Sequence, residues 1–236
     1  MTKPRAPAIS PGLFVTGTDT GVGKTRVACA LLRAYAASGR RAVGMKPVAA
    51  GASPGASGLS NEDVDLLRRA SNVCAPGELV NPYCFEPAIA PHLAAAEAGV
   101  AIELPRIVAA YAGLSALAEH VVVEGAGGFL VPLGGGLSMA DIAGALSLPI
   151  VLVVGMRLGC LNHAMLTCES IRRRRLRLAG WVANCIEPHM QRLQDNVAAL
   201  RERISAPLLD LVPYEPGPAF PRALDAAVLR AAGIIA

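Results

Sequence analysis

Four short stretches of this 236-residue chain carry residue types and spacings suited to phosphate chemistry. In Gly17-Thr18-Asp19-Thr20-Gly21-Val22-Gly23-Lys24-Thr25, a glycine-rich turn links an apolar run (Leu13 to Thr16) to a helical pattern. Glycines let backbone N–H groups curl around a phosphate chain, and a helix starting near Gly23 adds the positive end of its dipole. Lys24 suits neutralisation of β and γ phosphates, and the Thr25 hydroxyl suits a magnesium ion. The usual first glycine of such a loop falls on Thr18, with Gly17 one residue early. A second stretch, Arg41 to Lys46, reads as a strand ending in a lysine just before Pro47. In the third, His120 to Val123 is a buried strand ending in Glu124, followed by Gly125-Ala126-Gly127-Gly128. A carboxylate at that tip is where a nucleotide-bound Mg²⁺ needs a further protein contact. In the fourth, Asn61 to Leu67 opens a helix. There Asp63 and Asp65 read either as first-turn carboxylates favoured by the dipole or as part of a metal site.

These residues act together only if the chain brings them to one edge, and the elements around them predict that it does. A helix from Lys24 to about Ser38 repeats Val27, Leu31, Leu32 and Tyr35 at helical spacing, and Gly39 stops it. Gly51 to Ser60 reads as a mobile loop, with Ser60 or Asn61 capping the helix that follows. Asn81 to Pro87 is extended and proline-punctuated, and leads to helices near His92–Ala98 and Leu104–Ala118. Leu133 to Leu137, with Gly134-Gly135-Gly136, reads as a flexible flap before a helix from Ser138 to Leu146. Strands are predicted at Pro149–Gly155, Leu178–Asn184 and Leu208–Val212, with helices near Met190–Arg203 and Ala223–Ala232. A further helix opens after Leu158-Gly159-Cys160-Leu161-Asn162, where free N–H groups could bind an anion or simply begin a helix. Strands and helices alternate without internal repeat or linker. One three-layer α/β domain over residues 1–236 with a mostly parallel sheet follows, of the phosphate-loop NTPase type.

Composition narrows the class. Apolar residues make up 53% and charged residues 17%, so a large core can be buried. The apolar runs are too short to span a bilayer. Residues 1–11 are polar and proline-rich and read as a disordered lead-in without a targeting signal, so a cytoplasmic protein is expected. Six scattered cysteines without a Cys-x-x-Cys pair argue for reduced thiols, and four dispersed histidines against zinc. The net charge of +4 comes visibly from Arg172 to Arg175 with Arg177. That run falls at a helix C-terminus, where cations suit the dipole, and lacks the interleaved aromatics of a nucleic-acid site. No nucleic-acid or membrane partner is expected.

The phosphate loop, Lys46 and the Asp63/Glu124 carboxylates suit ATP-Mg²⁺ phosphoryl transfer, which either an ATPase switch or a small-molecule ligase could use. Several separated motifs decide between them. These are the loop itself, Lys46-Pro47-Val48, Asn81-Pro82-Tyr83 and Val123 to Gly128, then Leu158 to Thr167 and Ala179-Gly180-Trp181-Val182-Ala183-Asn184. In this order, over Leu13 to Pro216, the chain resembles the dethiobiotin synthetase family. The resemblance implies an ATP- and Mg²⁺-dependent ligase joining CO2 to 7,8-diaminopelargonate through a carbamate and its phosphorylated form. It also implies roles. Lys46, Lys24 and Thr20 would be catalytic, and Thr25, Asp63 and Glu124 would hold Mg²⁺. ATP would meet Gly21 to Arg26, Asp63, Glu124 to Gly127, Asn184, Cys185 and Pro213-Tyr214-Glu215. The substrate would meet Thr20, Lys46, Ala50 and, from the partner subunit of a homodimer, Gly159-Cys160-Leu161-Asn162. Two positions depart from the family pattern: Ala50 replaces a hydroxyl residue, and Gln194-Asp195-Asn196 lacks a tyrosine. A switch ATPase of the partitioning or cluster-assembly type would need a second lysine inside the loop, and Thr18, Asp19 and Thr20 offer none.

Overall fold

The longest apolar runs of the chain have no polar face, so strands made from them must be covered on both sides. The computed structural model, which describes residues 12–55, 58–216 and 222–235, shows that arrangement. The lead-in expected over residues 1–11 lies outside the described residues. In chain order the elements are β1 (Gly12–Gly17), α1 (Lys24–Ala37), β2 (Ala42–Met45), β3 (Val48–Ala50), β4 (Ser53–Gly55), β5 (Gly58–Ser60) and α2 (Glu62–Ala70). Next come α3 (Gly77–Val80), β6 (Tyr83–Phe85), α4 (Pro91–Glu97), α5 (Leu104–Leu117), β7 (His120–Glu124), β8 (Pro132–Gly134), β9 (Leu137–Ser138) and α6 (Met139–Leu146). The chain then forms β10 (Ile150–Met156), α7 (Cys160–Arg173), β11 (Leu178–Cys185), α8 (Leu193–Arg203), β12 (Leu208–Val212) and α9 (Ala226–Ala231).

Six strands form one parallel sheet in the order β12-β11-β10-β1-β7-β2. Side chains alternate across it. Phe14, Val121, Val123 and Ile150 face the layer of α5 and α6, and Leu152, Val154, Trp181 and Ala183 continue that face under α7 and α8. Leu13, Val15, Val122, Val151 and Val153 face α1, α2 and α9. Three layers result, with the inner strands buried on both faces and β12 half-buried at one edge.

Local chemistry sets the helix ends. The Asn61 side chain caps α2 by accepting the Asp63 N–H at 3.1 Å. A capping box between Ser138 and Asp141 starts α6. The arginine run ends α7, with Arg172 and Arg173 in its last turn and Arg174 as C-cap, and Arg172 to Arg175 are exposed.

Two stretches read as mobile from sequence are paired. Gly51 to Ser60 contains the antiparallel β4–β5 pair, and the Asn61 amide donates to the Ala50 carbonyl at 3.2 Å. Residues 56–57 lie outside the described residues. The Gly134-Gly136 stretch turns the β8–β9 hairpin, with φ of 93°, 57° and 78° at its three glycines. The extended Asn81–Pro87 segment supplies β6, which pairs with β3 so that Val48 faces Tyr83. The described cysteines are all free thiols. Among the described residues no helix is long and apolar enough to cross a membrane.

Candidate active site

Strand register places the charged groups. Val15 of β1 pairs with Glu124 of β7, and Met45 of β2 pairs with Val123. Lys46, one residue beyond Met45, therefore lands beside Glu124, and the phosphate loop leaves β1 two residues beyond Val15. All three emerge at the C-terminal edge of the sheet, on either side of the point where the strand order reverses.

The loop is held from below. Asn184, at the end of β11, donates from Nδ2 to the Val22 carbonyl at 2.8 Å, and Thr18 N–H donates to the Val153 carbonyl at 3.0 Å. Gly23 precedes α1 with φ of 89°, and a Cβ there would lie 2.2 Å from Asn184 Nδ2. Val22 is buried against Gly17 and Gly155, so only its backbone can face a ligand. Lys24 Nζ donates to the Asp19 carbonyl at 2.9 Å. The Asp19 carboxylate accepts the Thr20 N–H at 2.7 Å and pairs with Arg157 at 2.6 Å.

Behind the loop four side chains converge. Lys46 Nζ lies 2.7 Å from Asp63 Oδ2 and 2.5 Å from Glu124 Oε1. The Thr25 hydroxyl lies 2.7 Å from Asp63 Oδ1 and 2.9 Å from Glu124 Oε1. Burial alone would lower the Lys46 pKa, but the Glu124 and Asp63 carboxylates outweigh it and hold the ammonium charged above the usual lysine range. Burial likewise works to raise Asp63, and Lys46 outweighs it to bring that carboxyl down. Complete burial pushes Glu124 up despite Lys46, and the neighbouring Asp63 charge adds to the shift. Glu124 Oε2 is buried without a hydrogen-bond partner among the described residues. These groups open onto a cavity of about 710 Å³ that also meets Thr20, Gly21, Gly23 and Ala50.

A model of the AAA domain family matches residues 11–222. The ATP-dependent dethiobiotin synthetase BioD of Aromatoleum aromaticum is 54% identical over 92% of this chain and 94% of its own length. The same-named protein of Nitrosospira multiformis is 53% identical over 86% of the chain and 88% of its own length. The chain belongs to the dethiobiotin synthetase family. Among solved structures, the MinC:MinD cell division protein complex of Aquifex aeolicus superposes with a TM-score of 0.54 at 14% identity, covering 88% of this chain and 83% of that one. A ParA family ATPase from Chlorobium tepidum gives 0.51, also at 14% identity, covering 88% and 86%. At that identity the likeness is one of fold.

Other residues that the family resemblance singles out are placed less uniformly. Ala126 and Gly127 line the cavity, whereas Gly125 packs on the Phe14 ring. Asn184 is buried, with Oδ1 unpartnered among the described residues. Cys185, Pro213 and Tyr214 line a separate cavity of about 470 Å³ with Glu187, Met190 and Leu193. Arg26 and Glu215 form an ion pair. Gly159 to Asn162 do not line the main cavity. The Cys160 side chain is buried, and its N–H, expected to be free, donates to the Arg157 carbonyl at 3.1 Å to close the turn before α7. Gly159 and Asn162 are exposed beside Leu158, which is 96% exposed.

One wall of the cavity is not legible in the sequence: Ala88, Ile89, Ala90, Pro91 and His92, together with Val131 and Pro132. The only signal was the proline spacing of Pro87 and Pro91. The Arg157–Asp19 bridge was also missed, because it joins two loops 138 residues apart.

Lys24 offers a test of loop electrostatics. Burial, and then the Lys46 charge, pull its pKa from 10.5 down to about 8. Between these values the unfolded chain binds more protons, so the stability of the nucleotide-free protein rises with pH across that window. Below it Lys24 is charged in both states and the full penalty applies. Lys24→Met should therefore raise the nucleotide-free melting midpoint at pH 7 by about 2–6 °C. The same change should flatten the alkaline slope and abolish stabilisation by ATP. Thermal melts below and within the window check all three.

Proposed function

We propose that this chain forms dethiobiotin from 7,8-diaminopelargonate, CO2 and ATP, releasing ADP and phosphate. One observation carries the reading within the family: Lys46, buried at the tip of β2, sits between the two carboxylates and faces the cavity behind the phosphate loop. A substrate amine takes up CO2 as a carbamate, whose negative charge meets the Lys46 ammonium. The γ-phosphoryl group passes to the carbamate oxygen, with Lys24, Thr20 and the loop N–H groups countering charge on the transferred group. The second amine then attacks the carbamic-phosphoric anhydride and closes the ureido ring.

Thr25, Asp63 and Glu124 would hold Mg²⁺. The donor set fits: all are oxygens, the unpartnered Glu124 Oε2 leaves capacity free, and Mg²⁺ needs few protein ligands because it keeps several waters. When bound, the ion neutralises β and γ phosphate charge. Asn184 Oδ1, Cys185 and the Pro213-Tyr214-Glu215 segment would receive adenine, and Gly125, Ala126 and Gly127 would approach the phosphates. On the substrate side, Ala50 leaves only backbone groups to bond at its position.

The exposed Gly159 and Asn162 at the start of α7 support a homodimer in which each copy's turn meets the substrate carboxylate in the other copy's cavity. Leu158 and Leu166, 96% and 57% exposed, would be covered by that contact. A cytoplasmic location accompanies the reading.

Phosphate release from Mg-ATP with bicarbonate, measured with and without the diamine and alongside mass detection of dethiobiotin, tests the function. Diamine-dependent release with stoichiometric product is expected. Release that ignores the diamine, without a ring-closed product, would replace the ligase by a nucleotide-switch ATPase.

A further inference from the structure

We propose that Arg157 is a positioning residue for phosphoryl transfer, acting through Asp19 to hold Thr20 and Lys24 where the transferred group needs them. The inference rests on the ligase reading above, which puts those two side chains beside that group. Among the described residues, Arg157 and Asp19 stand outside the lining of the main cavity, whereas Thr20 and Lys24 belong to it. The pair therefore works from behind the phosphate loop.

The loop crosses the tip of β10 on three successive anchors. Thr18 N–H donates to the Val153 carbonyl at 3.0 Å, and Gly155 N–H donates to the Thr18 hydroxyl at 3.4 Å. One residue beyond the strand, Arg157 Nη2 donates to Asp19 Oδ2 at 2.6 Å. On β10 the first two anchors are backbone groups that any residue would supply. The third depends on the Arg157 side chain.

Asp19 distributes that third anchor. Its Oδ1 accepts the Thr20 N–H at 2.7 Å, and its carbonyl accepts Lys24 Nζ at 2.9 Å. The Thr20 hydroxyl lies 3.5 Å from where a Cβ on Gly127 would stand, so it faces the glycines at the tip of β7. A single residue thus fixes the backbone of Thr20 and the ammonium of Lys24. The Thr20 N–H holds the Asp19 carboxyl below the usual carboxylate range against the effect of partial burial, and Arg157 adds to the shift. An ionised acceptor bonds more strongly than a neutral one. In a loop that must receive a polyanion, the same charge left unpaired would oppose the ligand, and the guanidinium offsets it.

Energetics assign this pair to position rather than to stability. With the side chains 37% and 46% exposed, the ion pair contributes little to folding. Geometry weighs more, because an error of about 1 Å in a reacting group costs about 10²-fold in rate. The Arg157 carbonyl accepts the Cys160 N–H to close the turn before α7, and replacing the side chain leaves that backbone bond in place.

A double-mutant cycle with one conservative variant tests the assignment. Asp19→Asn keeps an acceptor for the Thr20 N–H but loses the charge that Arg157 pairs with. Arg157→Gln should lower kcat for dethiobiotin formation by about 10–10²-fold, with the dissociation constant for Mg-ATP essentially unchanged. Its melting midpoint should move by less than about 3 °C. Asp19→Asn should lose a similar factor in kcat. The double variant should lose no more than the larger single loss, because both changes break one link. Arg157→Lys should lie closer to the parent protein than Arg157→Gln. Undiminished kcat in Arg157→Gln overturns the assignment. So does a loss confined to Arg157→Gln with Asp19→Asn at the parental rate, which would put the guanidinium on the phosphates directly. A melting midpoint that falls in step with kcat also overturns it and leaves the pair a structural one. If the parent protein releases phosphate from Mg-ATP without making dethiobiotin, the ligase reading fails, and the same cycle read on phosphate release still decides whether Arg157 positions the loop.

Discussion

Lys46→Ala is expected to cut the rate of dethiobiotin formation by at least about 10³-fold while leaving Mg-ATP binding close to normal. Among the described residues the ammonium is the one cation paired with both Asp63 and Glu124, at 2.7 and 2.5 Å. Its removal deletes the charge that would meet both the carbamate and the transferring phosphoryl group. A second consequence separates this role from a merely structural one. Without Lys46, two carboxylates face each other beside Thr25, one of them fully buried. Removing one partner of a buried pair destabilises by up to about 3–5 kcal/mol, less here because the Asp63 side chain is 40% exposed and partly screened. Glu124, already raised by burial, would relieve the rest by binding a proton. Mg²⁺ should therefore stabilise Lys46→Ala more strongly than the parent protein, even without nucleotide. Thermal melts across a magnesium titration, read beside single-turnover kinetics, check the pair of effects. Unchanged turnover would remove Lys46 from the mechanism, and unchanged magnesium dependence would remove the carboxylates from the metal site.

The charged half of the site was legible because β-strands announce their ends. Lys46 and Glu124 each follow an apolar run, and parallel strands must deliver such residues to one edge. Asp63 was ambiguous in sequence, where a helix N-terminus explains a carboxylate by itself. In the structure its contacts with Lys46 and Thr25, both 2.7 Å, put it in the charged cluster. The order of the strands was beyond reach, since apolar runs of similar composition do not say which neighbour each takes. The six sheet strands themselves were all found.

The apolar half of the site was not legible, for a different reason. Ala88 to His92 shows neither a strand nor a helix period long enough to read, and its position is fixed by packing of α4 on β3 and β8. The β4–β5 pair and the β8–β9 hairpin read as loops in the sequence for the same cause. Glycine and proline mark where regular structure breaks, but not whether the flanking residues pair. Asn184 shows the limit at a single residue. Its place at a strand end suggested a ligand contact, whereas its amide nitrogen is committed to the Val22 carbonyl and only Oδ1 remains.

That commitment makes Gly23→Ala the most disruptive small substitution in the loop. Two costs arise from one methyl group. The backbone at φ 89° is a left-handed conformation that costs an L-residue about 1–2 kcal/mol. The added Cβ would also lie 2.2 Å from Asn184 Nδ2, so either the loop or the asparagine must move. If Asn184 moves, its 2.8 Å bond to Val22 breaks and a buried amide loses its partner, at about 1–3 kcal/mol. If the loop moves, the N–H groups leave the phosphate positions. Gly23→Ala should thus lower stability by about 2–4 kcal/mol and weaken ATP binding by at least about 10²-fold. Adding Asn184→Ala removes the collision but not the left-handed backbone, so the double variant should recover part of the stability and little of the ATP affinity. A double-mutant cycle on melting free energy and nucleotide binding resolves the two terms. Full recovery of binding in the double variant would assign the whole effect to the collision. A neutral single variant would mean that the loop is not clamped by Asn184 at all.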